Sequence, residues 1–409
     1  MRFTLIENAR LIFPDRIEPR GSLLIEQGRI AKITYGGQKH SSFKLSRAIA
    51  KETWRVDAKG AFLAPGFIDL HIHGALGHDT MDATFDAWNA ISRYHASGGT
   101  TSFALTTVTC SFNALERVLA CANQHPALEG ARLLGIHVEG PFLSPEKPGA
   151  HRIQLMQTPN LKKWLARFKN YLRCITQITL APELNGALPF IRAMRRQGII
   201  CSAGHTNASD VEFHRARKVG LDHVTHLFNC MSMAHKRGFL REAGVVEAAL
   251  ADTDVHAELI ADGMHVSPTL LRMAYHAKGP ENLMLITDAT AGAGLKAHAR
   301  FELGALTARV CKGYALSDAP EPVLAGSTIR MIDSVATMVR RAGVPLYEAV
   351  RMATFNPAKR LGKEKEVGQL RSGAQADLLL FNDRFQVLQT WRAGQIIYTV
   401  PSFKRVNEF

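Results

Sequence analysis

The sequence predicts an α/β fold: a closed (β/α)8 barrel of the TIM type with a small β-sandwich formed by both chain ends. Three observations carry that expectation. Eight near-continuous apolar runs alternate with amphipathic stretches, the two chain ends share a texture of short strands and turns, and metal-capable side chains fall where the apolar runs stop.

Residues 1–64 read as short strands, FTLIENARLIF, GSLLIEQGRIAKITYG and TWRVDAKGAFLAPG. Within them IEQGRI and YGGQ are hairpin signals, because glycine takes the positive φ of tight turns. Residues 365–409 repeat the texture in VGQLRSGAQADLLLFNDRFQVLQTWRAGQIIYTV. Neither piece has strands enough to enclose a core, so pairing of 1–64 with 365–409 into one β-sandwich domain is the economical arrangement. Residues 65–364 are then the barrel domain.

The candidate barrel strands, in order, are 67–73 (FIDLHIH), 101–108 (TSFALTTV), 133–140 (LLGIHVEG), 175–183 (ITQITLAPE), 199–206 (IICSAGHT), 222–229 (DHVTHLFN), 255–263 (VHAELIADG) and 282–289 (NLMLITDA). Parallel strands covered by helices on both faces read as unbroken apolar runs. The segments between them, such as DAWNAISRYHASGG and SDVEFHRARKVG, carry helical periodicity. Eight βα units close a barrel whose site lies at the C-terminal ends of its strands.

Composition narrows the function classes. With 409 residues, 46% of them hydrophobic and 21% charged, the chain is ordinary globular protein. No apolar run approaches the roughly 20 residues that span a bilayer. The opening MRFTLIENARLIFPDRIEPRG breaks every apolar stretch with a charge, unlike a signal peptide. Cys110, Cys121, Cys174, Cys201, Cys230 and Cys311 are scattered without a CxxC pair, so reduced thiols in the cytoplasm are expected, with no thiolate metal site. The formal charge of +14 is spread along the chain rather than gathered in a run with aromatics. Nucleic acid and membrane partners are therefore not expected. The charge reads either as a field steering an anionic substrate or as a basic surface of no specific role.

Strand one ends His71-Ile72-His73, strand three ends His137-Val138-Glu139, and strand five ends at His205. Strand six carries His226, strand seven reaches Asp262 and His265, and strand eight ends at Asp288. Residues two apart on a strand face one side, so His71 and His73 can present both imidazoles to one ion. Glu139 can bridge that ion to a second, completed by His205 and His226. Imidazole and carboxylate ligands suit zinc, iron or manganese. One histidine at a strand end is ordinarily just packed; the whole set at strand ends is what points to metal. His78, His95, His125, His214, His223, His256, His276 and His298 fall in loops or helical stretches and are expected to be structural or solvent-facing.

PGFIDLHIHG resembles the strand-one signature of the amidohydrolase superfamily. HVEGPFLSPEKPGAH (137–151), TLAPE (179–183), SAGHT (202–206), THLFNCM (225–231), IADGMHV (260–266), ITDAT (286–290) and LAGS (324–327), in that order, are similar to the N-acetylglucosamine-6-phosphate deacetylase family. The resemblance implies metal-dependent hydrolysis of the acetamide of N-acetyl-D-glucosamine 6-phosphate, in amino sugar metabolism. Deacetylation of the galactosamine epimer, another amidohydrolase activity and a catalytically silent scaffold are the alternatives. Strand four ends Ala181-Pro182-Glu183, without the bridging lysine common in the dihydroorotase type.

The resemblance also implies roles. Glu139, His205 and His226 would hold one divalent metal, zinc before iron or manganese. His71 and His73, with Glu139 bridging and Asp288 nearby, would hold another. Asp288 would act as general base and then acid, and His265 would polarise the acetyl oxygen. Substrate contacts are implied at Ala150, His151, Asn229, Cys230, Arg237, His265, Leu324, Ala325 and Gly326, the last three in a backbone-contact loop. Arg237 would reach the phosphate across a homodimer interface. HKRGFL (235–240) lacks the family's Arg-Glu-Pro-Gly run, which makes Lys236 the alternative phosphate contact, and Cys230 stands where alanine is usual.

Overall fold

Each apolar run forms a strand of one parallel sheet whose spatial order is the chain order. In the computed structural model, which describes residues 3–36, 43, 45–304, 306–401 and 403, strands one to eight are Phe67–Ile72, Thr100–Thr106, Arg132–Glu139, Ile175–Leu180, Ile200–Ala203, His223–Val224, His256–Ile260 and Leu283–Ile286. The expected terminal-domain stretches at 1–2, 37–42, 44, 402 and 404–409, with half of the YGGQ turn signal, lie outside the described residues. Strand eight meets strand one, closing the barrel: Asp288 N–H donates to the His71 carbonyl at 3.0 Å, and His73 N–H to that of Ala289 at 2.8 Å. Below that seam the buried Asp69 carboxylate accepts the Thr287 hydroxyl at 2.6 Å.

Helices cover the outside because their sequences cap and pattern them. Thr84, Ser111, Asn160, Ser209 and Ser267 each accept a first-turn amide, starting helices Phe85–Ala96, Phe112–Asn123, Leu161–Phe168, Asp210–Arg217 and Pro268–Lys278. In Ala187–Arg196 the buried residues are Ala187, Phe190, Ile191 and Met194, one stripe at helical spacing. Trp164 is fully buried with its ring 5.4 Å from Phe190 and 5.6 Å from Phe142, tying the layers around strands three and four. Truncating such a residue to alanine costs about 3–5 kcal/mol.

The two chain ends share one eight-stranded, β-sandwich-like sheet. Phe62–Pro65 pairs antiparallel with Leu378–Phe381 on one side and parallel with Phe3–Ile12 on the other, so N- and C-terminal strands interleave. Leu11, Leu23, Leu63, Leu378, Leu380 and Trp391 form its core. Among the described residues no helix is long and apolar enough to cross a membrane.

Three features depart from the sequence reading. After strand eight the chain forms a four-stranded antiparallel sheet, Arg300–Leu303, Leu306–Val310, Tyr314–Ser317 and Leu324–Ser327, so LAGS is a strand and not a loop. Its inner face, Phe301, Leu303, Ala308 and Ala325, packs with Val108 and Ala291 beside the barrel mouth. His235–Arg237 and Leu240–Glu242 form an exposed hairpin. His223 and His256 are on strands six and seven, as the candidate strands 222–229 and 255–263 that contain them imply, and not in loops or helices.

Candidate metal and substrate site

Glu139, at the end of strand three and almost fully enclosed, is the hub. Its Oε1 stands 3.3 Å from His205 Nε2 and 3.1 Å from His226 Nε2. Its Oε2 stands 3.5 Å from His71 Nε2 and 3.4 Å from His73 Nε2. Asp288 Oδ1 completes the second group, 3.3 Å from His71 Nε2 and 3.2 Å from His73 Nε2. The six expected metal-site residues therefore converge, from five different strands or the turns just after them.

Backbone geometry turns three of these side chains inward. His205, His226 and Asp288 have φ of 46°, 34° and 50°, in the left-handed region where a non-glycine residue costs on the order of 1–3 kcal/mol. Each lies two residues past its strand, so the kink redirects a side chain that regular strand geometry would place elsewhere. Strand six shows the effect most strongly: with Phe228 and Cys230 also at positive φ, the run read as 222–229 is regular over only His223–Val224.

Tautomers follow from the groups behind the rings. The Nδ1–H of His73 donates to the Thr106 carbonyl at 3.1 Å, and that of His205 to the Lys147 carbonyl at 2.9 Å. Both rings then aim an Nε2 lone pair into the site. His71 and His73 bring their Nε2 atoms to 3.2 Å, as do His205 and His226. Lone pairs so close need a proton or a cation between them. His151 differs: its Nδ1 accepts the Thr109 amide at 3.0 Å, so the proton lies on Nε2, 3.5 Å from Glu139 Oε2. Burial and the charge on His205 lower its pKa to about 4, keeping the ring neutral. That makes His151 a donor and not a ligand.

The electrostatics fit a divalent metal. Burial works against a charged His73, yet its hydrogen bonds to Asp288 and Glu139 outweigh it and raise the pKa to about 9. Burial likewise opposes ionised Asp288, but the charge on His71 and the bond to His73 hold it well below the usual carboxylate range. Two buried carboxylates thus draw protons onto imidazoles, and a cation on the same nitrogens takes the place of those protons.

A cavity of about 260 Å³ opens from this cluster. Of the expected site residues it is lined by His73, Glu139, Ala150, His151, His205, His226, Asn229, Cys230, His265, Asp288, Leu324 and Gly326. His71 lies behind its wall, fully buried. Ala325, between two lining residues of a strand, turns its methyl into the apolar cluster on the other face. Arg237 is not brought in: its side chain is 78% exposed on the hairpin and pairs with Glu242 at 3.1 Å. Lys236, on the same strand, is exposed as well.

Asp262, named in the sequence only as a metal-capable residue at a strand end, lies two residues past strand seven and serves instead as the partner of His265. Its Oδ1 caps the turn, accepting the amides of Met264 and His265 at 2.8 and 2.9 Å. Its Oδ2 accepts His265 Nδ1–H at 2.6 Å. Burial disfavours a charged His265, but this bond raises its pKa. With Nδ1–H committed, Nε2–H is available to the cavity only in the charged ring. The spacing Asp-x-x-His after a strand is the signal that could have identified it.

The profile of the amidohydrolase family matches residues 62–397. The chain is 33% identical to the N-acetylglucosamine-6-phosphate deacetylase of Bacillus subtilis (strain 168) over 402 residues, 96% of this chain and 97% of that protein. It is also 33% identical to the N-acetylgalactosamine-6-phosphate deacetylase of Escherichia coli O157:H7 over 342 residues, 82% of this chain and 87% of that one. Among solved structures, a mutant N-acetyl-D-glucosamine-6-phosphate deacetylase of Mycobacterium smegmatis in complex with N-acetyl-D-glucosamine-6-phosphate superposes with a TM-score of 0.87 at 30% identity, covering 98% of this chain and 100% of that one.

Proposed function

The chain belongs to the amidohydrolase family, and on that premise we propose that it hydrolyses the acetamide of N-acetyl-D-glucosamine 6-phosphate to D-glucosamine 6-phosphate and acetate. One observation carries the reading: four imidazole Nε2 atoms flank a single buried carboxylate, Glu139, at the floor of a cavity lined by His265 and Asp288.

An amide needs a strong nucleophile, a stabilised oxyanion and a protonated leaving nitrogen. A divalent cation supplies the first, lowering the pKa of water towards about 7. Glu139, His205 and His226 would hold one ion, and His71 and His73 with Glu139 a second; zinc suits this donor set best, with iron and manganese next. Asp288, ionised at neutral pH, accepts a proton from the attacking water and returns it to the leaving nitrogen. His265, whose protonated form Asp262 favours, donates Nε2–H to the acetyl oxygen and stabilises the negative charge that develops there. His151 donates from Nε2, and Ala150, Asn229, Cys230, Leu324 and Gly326 border the sugar.

The phosphate calls for a lysine or arginine, and the cavity lining contains neither. Arg237 meets that need from a second subunit, in a homodimer where the hairpin enters the neighbouring site; Phe239 and Leu240 at its turn are exposed apolar side chains suited to an interface. A cytoplasmic location accords with six unpaired cysteines.

Steady-state acetate release from the gluco and galacto 6-phosphates, each beside its unphosphorylated sugar, tests the reading. The phosphorylated gluco sugar should be preferred. Turnover of the galacto epimer alone would move the assignment to that sugar, and no acetate release from any of the four would overturn it.

A further inference from the structure

Below the cluster, the barrel interior encloses a carboxylate that the chemistry above leaves unused. Glu258 lies on strand seven with no solvent exposure. Its Oε1 accepts Gln177 Nε2–H at 3.0 Å from strand four and lies 3.1 Å from His223 Nε2 of strand six. Its Oε2 has no hydrogen-bond partner, and neither has Nδ1 of His71, yet these two atoms face each other at 3.7 Å. An unsatisfied carboxylate oxygen and an unsatisfied ring nitrogen, both buried, are costly separately and complementary together.

The arrangement differs from that at the other rings. His73 and His205 are held by neutral carbonyls, and Nδ1 of His226 has no partner. Among the candidate ligands, only His71 has a carboxylate behind it. A cation on Nε2 draws electron density from the ring, making Nδ1–H a stronger donor, and a carboxylate accepting that proton makes Nε2 a better ligand. The cation's charge also offsets that of a carboxylate otherwise sealed in the barrel.

We propose that Glu258 is a positioning residue for the His71–His73 metal position: it holds the Nδ1 proton of His71, fixes the ring so that Nε2 faces the ion, and so determines whether a second ion is retained. The inference rests on the two-ion reading above. It makes Glu258 more than a tie between strands four, six and seven, because a tie would act on both metal positions alike.

The test is zinc binding to chelator-stripped protein, followed by equilibrium dialysis with metal analysis. Glu258→Gln keeps the shape but removes the charge. It should weaken the second zinc by roughly 10–100-fold and leave the first unchanged. In a H71Q/H73N background, where only the Glu139–His205–His226 position remains, the same substitution should have no effect. Equal weakening of both positions, an effect in that background, or no effect on the second zinc would each overturn the proposal. If Glu258→Gln does not fold, Glu258→Asp retains the charge but withdraws it from His71; the same selective loss is expected, and unchanged affinity refutes the assignment. A wild type that takes up one zinc at every concentration would also overturn it, through its two-ion premise. Acetate release, measured separately, decides the deacetylase reading.

Discussion

Replacing Asp288 with asparagine isolates proton transfer from everything else this residue does. The backbone at position 288 has a φ of 50°, a region asparagine tolerates as readily as aspartate. Its amide still donates to the His71 carbonyl at 3.0 Å and its carbonyl still accepts Ser327 N–H at 2.9 Å. The barrel seam is therefore preserved, and the side-chain oxygen still reaches the 3.2–3.3 Å spacing to His73 and His71 Nε2. What is lost is the ability to take a proton, because an amide oxygen is a negligible base near neutral pH. Positioned proton transfer is worth about 10²–10⁴ in rate, or about 2.7–5.4 kcal/mol of barrel-site transition-state stabilisation. We expect kcat for acetate release to fall by that factor, with the acidic limb of its pH profile altered. Metal content measured on the same preparation separates loss of the base from loss of an ion. A variant with wild-type metal content that turns over within tenfold of wild type would refute this role.

Further outcomes are expected. A double H71Q/H73N change should lower zinc content from two per chain to one while the Glu139–His205–His226 position stays filled; loss of all zinc would show that the two positions are not separable. Zinc binding should release protons at pH 7, because His73, raised from 6.5 to about 9 in the metal-free protein, must give up its proton to bind. Calorimetry in buffers of different ionisation enthalpy counts those protons, and a count of zero contradicts the shift. By the same linkage, the raised pKa stabilises the metal-free fold in full below about pH 6.5, and that contribution is lost as pH climbs through about 9. Arg237→Ala should cost about 2–4 kcal/mol, a factor of roughly 30 to 1,000 in kcat/KM, on the phosphorylated sugar only. Hybrid dimers with Asp288-deficient chains should recover activity. Without recovery the arginine does not act between subunits, and an unchanged sugar preference would transfer the role to Lys236.

The barrel was legible because burial on both faces writes itself into each strand as an apolar run, and because strand ends put the metal-capable residues in register. What escaped follows equally physical lines. The sheet at 300–327 is short, and its first strand, RFEL, alternates exposed and buried residues over only four positions, too few to register as a period. Glu258 was invisible because a carboxylate in an apolar strand acquires meaning only from what stands across the barrel, here His71, Gln177 and His223. The tautomers were likewise unreadable, since they depend on Thr106 and Thr109, which precede strand three, and on Lys147, which follows it. The histidines that gather round Glu139 could be picked out from their positions at strand ends, whereas the difference between His151 as donor and His205 as acceptor depends on the groups behind each ring.

The interleaving of the chain ends also sets a schedule for synthesis. Phe62–Pro65 waits for Leu378–Phe381, so at translation speeds of about 5–20 residues per second its edge is without that neighbour for roughly 15–60 s. Over that interval Leu63 and Ala64, fully buried in the finished protein, lie on an open strand edge of the kind that pairs indiscriminately. The barrel, whose strands pair in chain order, can assemble as it emerges. A nascent chain arrested before residue 378 should thus carry a largely formed barrel beside an aggregation-prone flap, protected only by whatever chaperone meets it first.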